Sequence, residues 1–250
     1  MAAYHRIIFA IGGGELAELE TLPIDRQIVA AARANCRVKK GRVRVLFIPT
    51  ASGDDPEYYR SFQMVYGDKL GCRTDCLYLY GGATSKAAIA KKIKSAHLVY
   101  VGGGSTPAMM KMWRRYGVDK LLVRDYRRGV VLSGLSAGAN CWFKYALSNA
   151  YEGRWTTVRG LNLIGLCSNV HYDSEPGRKR AFDRLVKEQK IAGIAIEDNA
   201  CIKIIDNTRY EIIKSKRSAA VYRIEYKNGK IDRERLGKAG GYIEGISSGS

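Results

Sequence analysis

The segment Val130-Val131-Leu132-Ser133-Gly134-Leu135-Ser136-Ala137-Gly138-Ala139-Asn140 carries an apolar run into Gly-Leu-Ser-Ala-Gly, and no other stretch restricts the fold so strongly. Two glycines placed around a serine at the end of such a run read as a buried strand turning sharply into a helix. The turn strains the central residue and brings together the residues two before and two after it. Gly134 and Gly138 then leave the room that a Cβ would fill. The following helix aims free N–H groups at the place where an oxyanion would form. Ser136 is therefore the first candidate nucleophile for acyl transfer. The plain alternative is a tight strand-helix packing corner.

Strand-like runs recur at residues 7–11, 43–48, 76–80, 97–101 and 130–133, separated by helical stretches at 25–35, 56–70, 86–95 and 107–128. This alternation predicts a mostly parallel sheet wound on both faces, with further strands at 161–170, 191–196 and 201–205. Residues 210–213, 219–226 and 230–236 alternate apolar and polar around Asn228-Gly229, which predicts a C-terminal antiparallel hairpin extension at an edge of the same domain. No linker or repeat divides the chain, so one domain over 1–250 is expected, with the polar Ser247-Ser248-Gly249-Ser250 frayed.

With 46% hydrophobic residues the chain can bury a full core, yet no apolar run reaches the roughly 18 to 20 residues that span a bilayer. The opening Met-Ala-Ala-Tyr-His-Arg has no leader pattern, and a cytoplasmic protein without membrane contact is expected. Six scattered cysteines lack zinc-type pairing and read as reduced thiols, Cys141 among them as helix packing. A net charge of +18 invites nucleic acid or acidic substrates, but it is spread over loops and helix faces without a nucleic-acid module. Nucleic acid is not the expected partner.

Two more glycine clusters follow strands. Gly12-Gly13-Gly14-Glu15-Leu16-Ala17 fits a dinucleotide turn, but Glu15, Glu18 and Glu20 would repel a pyrophosphate, and Ile48-Pro49-Thr50 stands where a ribose-binding acid belongs. Gly102-Gly103-Gly104-Ser105-Thr106 lacks the ending of a phosphate loop and suits a bare backbone beside Ser136, donating N–H groups to an oxyanion.

A serine nucleophile needs a base, and only His5, His97 and His171 are available. His5 precedes the first strand and His97 opens one, whereas His171 ends the 161–170 run, so His171 is the expected base. Between Ser136 and His171 the one carboxylate is Glu152, in a polar connection. The acid is therefore sought beyond His171, where Glu197 and Asp198 follow the 191–196 run; Glu197 is favoured, Asp198 is the alternative and Asp173 comes third.

Gly102-Gly103-Gly104-Ser105-Thr106, Gly134-Leu135-Ser136-Ala137-Gly138-Ala139-Asn140, Asn169-Val170-His171-Tyr172 and Glu197-Asp198-Asn199, in this order and spacing, resemble the peptidase E branch of the S51 serine peptidases. Ile11-Gly12-Gly13-Gly14-Glu15 and Phe47-Ile48-Pro49-Thr50-Ala51 are similar to a subgroup described as class I glutamine amidotransferase-like. The resemblance implies a flavodoxin-like α/β fold and a metal-free, cofactor-free exopeptidase that cleaves small peptides with an amino-terminal aspartate. It implies a triad of Ser136, His171 and Glu197, with the oxyanion held by backbone at Gly103 or Gly104 and Ala137. The family's glycine loop commonly continues into Asn-Thr, where this chain has Ser105. An aspartyl substrate would need a cation, for which Arg178 or Arg180 in the turn after His171 is the candidate. The expected partner is a small peptide, with a homodimer allowed for. The rival reading is a binding or regulatory protein that keeps the fold without turnover.

Overall fold

A computed structural model describes residues 4–82, 84–151, 154–237 and 240–243, so that Glu152 and the polar ending Ser247–Ser250 lie outside the described residues. In chain order the first half comprises β1 (Ile7–Ile11), α1 (Leu22–Asn35), β2 (Arg44–Ile48), α2 (Pro56–Phe62), β3 (Arg73–Cys76), α3 (Lys86–Ser95), β4 (Leu98–Val101), α4 (Thr106–Tyr116), α5 (Val118–Arg127) and β5 (Val131–Leu135). There follow α6 (Ala137–Asn140), β6 (Phe143–Tyr151), β7 (Arg154–Arg159), β8 (Ile164–Asn169), α7 (Arg178–Gln189) and β9 (Gly193–Ile196). The chain continues through β10 (Ala200–Ile205), β11 (Arg209–Lys214), β12 (Val221–Lys227), β13 (Lys230–Arg235) and β14 (Gly241–Tyr242).

The chain is α/β, but its strands form two mixed sheets instead of one mostly parallel sheet. The first has the order β14-β11-β10-β1-β5-β4-β2-β3; its β1 to β5 strands are parallel, while β10 and β11 extend it antiparallel from β1. The second has the order β13-β12-β9-β8-β6-β7. The hairpin at Asn228-Gly229 forms, with both turn residues at positive φ (51° and 79°), and it edges this second sheet. Strands β6 and β7 were not expected, because Lys144, Ser148, Asn149 and Arg154 dilute the apolar signal there.

Along β2, Val45 and Phe47 face one layer of the core and Leu46 and Ile48 the other, the period of two that a sheet covered on both faces requires. Phe47, Phe62 and Tyr66 stack on one face with ring centroids 4.4 Å apart in each successive pair, while Trp113 and Trp142 pack on the other. The 107–128 stretch is two helices, because Gly117 at φ 73° takes a left-handed conformation that ends α4 and begins α5. The 56–70 stretch changes from α2 to a π-helical segment at Gln63–Lys69. Among the described residues no helix is long and apolar enough to cross a membrane.

Helix α1 buries a carboxylate beneath this aromatic layer. Asp25 accepts hydrogen bonds from the Tyr66 hydroxyl at 2.7 Å and the Thr21 hydroxyl at 2.8 Å. Burial is the larger influence and pushes its pKa up to about 6, against the two hydrogen bonds, which pull it down. A carboxyl raised on folding contributes stability that is fully present below its unfolded pKa and is lost as pH rises through the folded value. Urea denaturation from pH 4 to pH 7.5 should therefore show wild type losing more stability than Asp25→Asn, by roughly 2 kcal/mol. Equal pH dependence in the two proteins would mean that Asp25 is ionised in the fold at no cost.

Candidate active site

Ser136 sits between β5 and α6 at φ 55° and ψ −114°, a backbone conformation that costs a non-glycine residue on the order of 1–3 kcal/mol. Its neighbours hold it there. The Ser136 N–H donates to the Ile11 carbonyl at 3.0 Å, and its own carbonyl accepts from the N–H groups of Ala139 and Asn140 at 2.9 and 3.0 Å. A Cβ on Gly134 would lie 2.2 Å from the Gly138 carbonyl oxygen, and one on Gly138 would lie 2.1 Å from that of Val101. The sharp strand-to-helix turn expected from the sequence is present, and neither glycine can carry a side chain.

His171 leaves the end of β8 at φ 51°, its N–H donating to the Gly12 carbonyl at 3.2 Å. Its Nε2 lies 2.8 Å from Ser136 Oγ and its Nδ1 lies 2.6 Å from Asp198 Oδ1. His5 pairs with Asp206, and the Nδ1 of His97 accepts the Arg44 N–H, so of the three histidines only His171 meets the serine. The carboxylate against it is that of Asp198, and Glu197 does not occupy the place expected for it. Successive side chains leaving an extended strand point to opposite sides. With its N–H held by the Ala220 carbonyl, Glu197 bonds to the Tyr222 hydroxyl, while Asp198 turns to the imidazole. Asp173 stands one step further back and accepts the Asp198 N–H at 3.0 Å. Burial would raise the Asp198 pKa, but hydrogen bonds from His171 and Ser174 and the charges of His171 and Arg178 outweigh it and hold the carboxyl below its ordinary value.

The glycines after β1 make this contact possible. A Cβ on Gly13 would stand 1.9 Å from Asp198 Oδ1 and 2.5 Å from His171 Nδ1, and one on Gly12 would stand 2.2 Å from the Glu197 carbonyl oxygen. The segment that resembled a dinucleotide turn is thus a bare floor under the His171–Asp198 pair. Of the backbone donors expected for an oxyanion, the Ala137 N–H has no acceptor among the described residues. Gly103 lies beside the nucleophile, with its Cβ position 3.4 Å from that of Ser136, but its N–H donates to the Tyr58 hydroxyl at 3.1 Å. Gly104 packs on the Ala51 carbonyl, and Ser105 caps α4 through the Ala108 N–H.

Ser136, His171, Gly103 and Tyr58 line a cavity of about 320 Å³, closed on another side by Gly14 to Ala17, Ser61 and Leu135. Neither Arg178 nor Arg180 lines it. Arg178 is 2% exposed and held elsewhere: Asn169 accepts from one terminal nitrogen at 3.0 Å, Glu175 from the other at 2.8 Å, and its guanidinium lies 4.8 Å from the Trp155 ring centroid, while its Nε has no hydrogen-bond partner among the described residues. It buttresses the end of β8, which carries His171. Arg180 is exposed on α7. Cys141 is buried within the fold and donates to the Gly138 carbonyl, and burial pushes its thiol well above the usual range. Sequence reasoning missed Tyr58, which carries no motif, and ranked Asp198 second.

Comparison with known proteins places these features. The model of peptidase family S51 matches residues 8–212. The chain is 30% identical over 219 residues to "Uncharacterized peptidase YgaJ" of Bacillus subtilis (strain 168), covering 87% of this chain and 91% of that one. It is 29% identical over 142 residues to "Uncharacterized peptidase Lin0382" of Listeria innocua, over 54% of this chain and 67% of that one. In fold it is similar to a peptidase from an acI-B1 Actinobacterium, with a TM-score of 0.70 at 18% identity over 95% of this chain and 96% of the other. A putative peptidase E protein from Listeria monocytogenes EGD-e superposes with a TM-score of 0.59 at 19% identity, over 93% of this chain and 100% of that one.

Gly13→Ala should force His171 and Asp198 apart while leaving the sheets intact, whereas Gly81→Ala, whose Cβ meets nothing within 4 Å, serves as the control. NMR should show the hydrogen-bonded Nδ1 proton of His171 lost in Gly13→Ala alone. Its retention would mean that the floor under the pair yields to a methyl group.

Proposed function

The chain belongs to peptidase family S51, and on that footing we propose that it is a serine-type peptidase that cleaves short peptides through an acyl-enzyme on Ser136. The observation that carries this reading is the unbroken line from Ser136 Oγ through His171 to Asp198, with contacts of 2.8 and 2.6 Å. His171 Nε2 takes the hydroxyl proton as Oγ attacks the scissile carbonyl, and the carbonyl oxygen becomes an oxyanion. Asp198, ionised at neutral pH, accepts from Nδ1–H, keeps Nε2 free to act as base and stabilises the imidazolium. The imidazolium then protonates the leaving amine as the C–N bond breaks, and water repeats the sequence to release the acid. A nucleophile held in a strained conformation against a base has little use in a purely binding protein, which favours turnover over the regulatory reading.

The cavity of about 320 Å³ is at the small end of small-molecule sites, in keeping with short peptides. A preference for amino-terminal aspartate, which the resemblance implies, finds no cation to support it: among the described residues no Lys or Arg lines the cavity, and Glu15 does. Glu15 suits a free amino end instead.

A dipeptide library read by mass spectrometry should show hydrolysis that Ser136→Ala abolishes, with neutral amino-terminal residues cleaved at least as fast as aspartate. Strong aspartyl selectivity would mean that a cation enters the site from elsewhere. Asp198→Asn should cost on the order of 10⁴-fold in kcat, by analogy with other serine triads, and Glu197→Gln little. The reverse order would return the acid's role to Glu197.

A further inference from the structure

We propose that the Tyr58 hydroxyl, and not the Gly103 N–H, is the second oxyanion donor of this site, working with the Ala137 N–H; the inference rests on the peptidase reading. A phenolic hydroxyl has one hydrogen to donate and lone pairs to accept with. At Tyr58 a lone pair is taken by the Gly103 N–H at 3.1 Å. Two consequences follow from that one bond. The Gly103 N–H is already engaged and cannot also point at a substrate. The hydrogen of the Tyr58 hydroxyl meets no acceptor among the described residues, and Tyr58 belongs to the wall shared with Gly103, Ser136 and His171.

The ring is fixed in this position. Tyr58 lies in α2, whose first turn is capped by the Asp55 carboxylate accepting the Glu57 N–H at 2.9 Å. Its ring meets Phe47 edge-on, with centroids 5.1 Å apart. It also lies over bare backbone, since a Cβ on Gly102 would stand 2.7 Å from Tyr58 Cε1 and 3.2 Å from Phe47 Cζ. Gly102 thus makes room for the ring and Gly103 polarises its hydroxyl, so the glycine cluster acts on the oxyanion through the tyrosine. A hydroxyl that accepts from an N–H becomes a better donor in turn. Burial pushes the phenol up to about 12, so it keeps its proton at working pH.

As Ser136 Oγ bonds to the substrate carbon and its proton passes to His171 Nε2, the carbonyl π pair moves onto oxygen. The Tyr58 O–H and the Ala137 N–H donate to that oxygen without giving up their protons. When the C–N bond breaks, the pair returns to re-form the carbonyl.

The full chain, treated with a fluorophosphonate, tests this, because the phosphonyl oxygen takes the oxyanion's place. Wild type should label at Ser136, and Tyr58→Phe should label at the same residue about 10²-fold more slowly. Equal or faster labelling of Tyr58→Phe would overturn the inference, since it would mean that Tyr58 blocks a Gly103 N–H that is itself the donor. Wild type that takes no label at Ser136 would overturn the peptidase reading and this inference with it. Should Tyr58→Phe fail to fold, 3,5-difluorotyrosine at position 58 keeps the hydroxyl but ionises at lower pH. The alkaline limb of the labelling rate should then move to lower pH than in wild type, a change that a packing role would not produce. An unmoved limb would overturn the inference.

Discussion

The approach of the His171–Asp198 pair to the backbone of Gly12 and Gly13 is the constraint on which the site depends. Gly12 and Gly13 follow β1 in the first sheet, His171 follows β8 in the second, and Asp198 lies where the chain passes from β9 in the second sheet to β10 in the first. Four backbone hydrogen bonds join these segments: His171 N–H to Gly12 O, Asn199 N–H to Gly13 O, Gly12 N–H to Ala200 O and Ser136 N–H to Ile11 O. Serine, base and acid come from three separated stretches of chain, and these bonds hold the three to one register. Any side chain at Gly13 would occupy the space of the pair itself.

Strain is distributed over the same segments. Ser136, His171 and Asn199 all have positive φ, at 55°, 51° and 63°. Each is held by the backbone bonds just described, so the cost of the unusual conformations is offset by groups that would otherwise be unpaired in the interior. The result is a serine hydroxyl and an imidazole aligned by the fold itself, which under the proposed peptidase reading lets binding energy go to the transition state.

Much of this was legible in the residues. Gly134-Leu135-Ser136-Ala137-Gly138 announces a turn that only glycines can close, and elimination among three histidines leaves His171. The parallel strands β1, β2, β4 and β5 are dense apolar runs and read directly. Other features depend on partners that periodicity does not reveal. Whether Glu197 or Asp198 faces His171 is set by a one-residue alternation at the end of β9, where both carry the same charge. The second sheet was obscured because β6 and β7 are half polar. Arg178 looked like a free cation because its partners, Asn169, Glu175 and Trp155, are joined to it only by the fold. Tyr58 had no signal at all, since its place against Gly102 and Gly103 is set only by the fold.

The central claim is that one hydrogen-bonded line, floored by Gly13 and roofed by Tyr58, forms and stabilises an acyl-enzyme at Ser136. A crystal structure of the protein after reaction with a small phosphonate tests it most directly. The account predicts phosphorus bonded to Ser136 Oγ, with His171 still between the adduct and Asp198, and the phosphonyl oxygen within hydrogen-bond reach of the Ala137 N–H and the Tyr58 hydroxyl. An adduct on another residue, or one at Ser136 whose oxygen turns away from both donors, would contradict it.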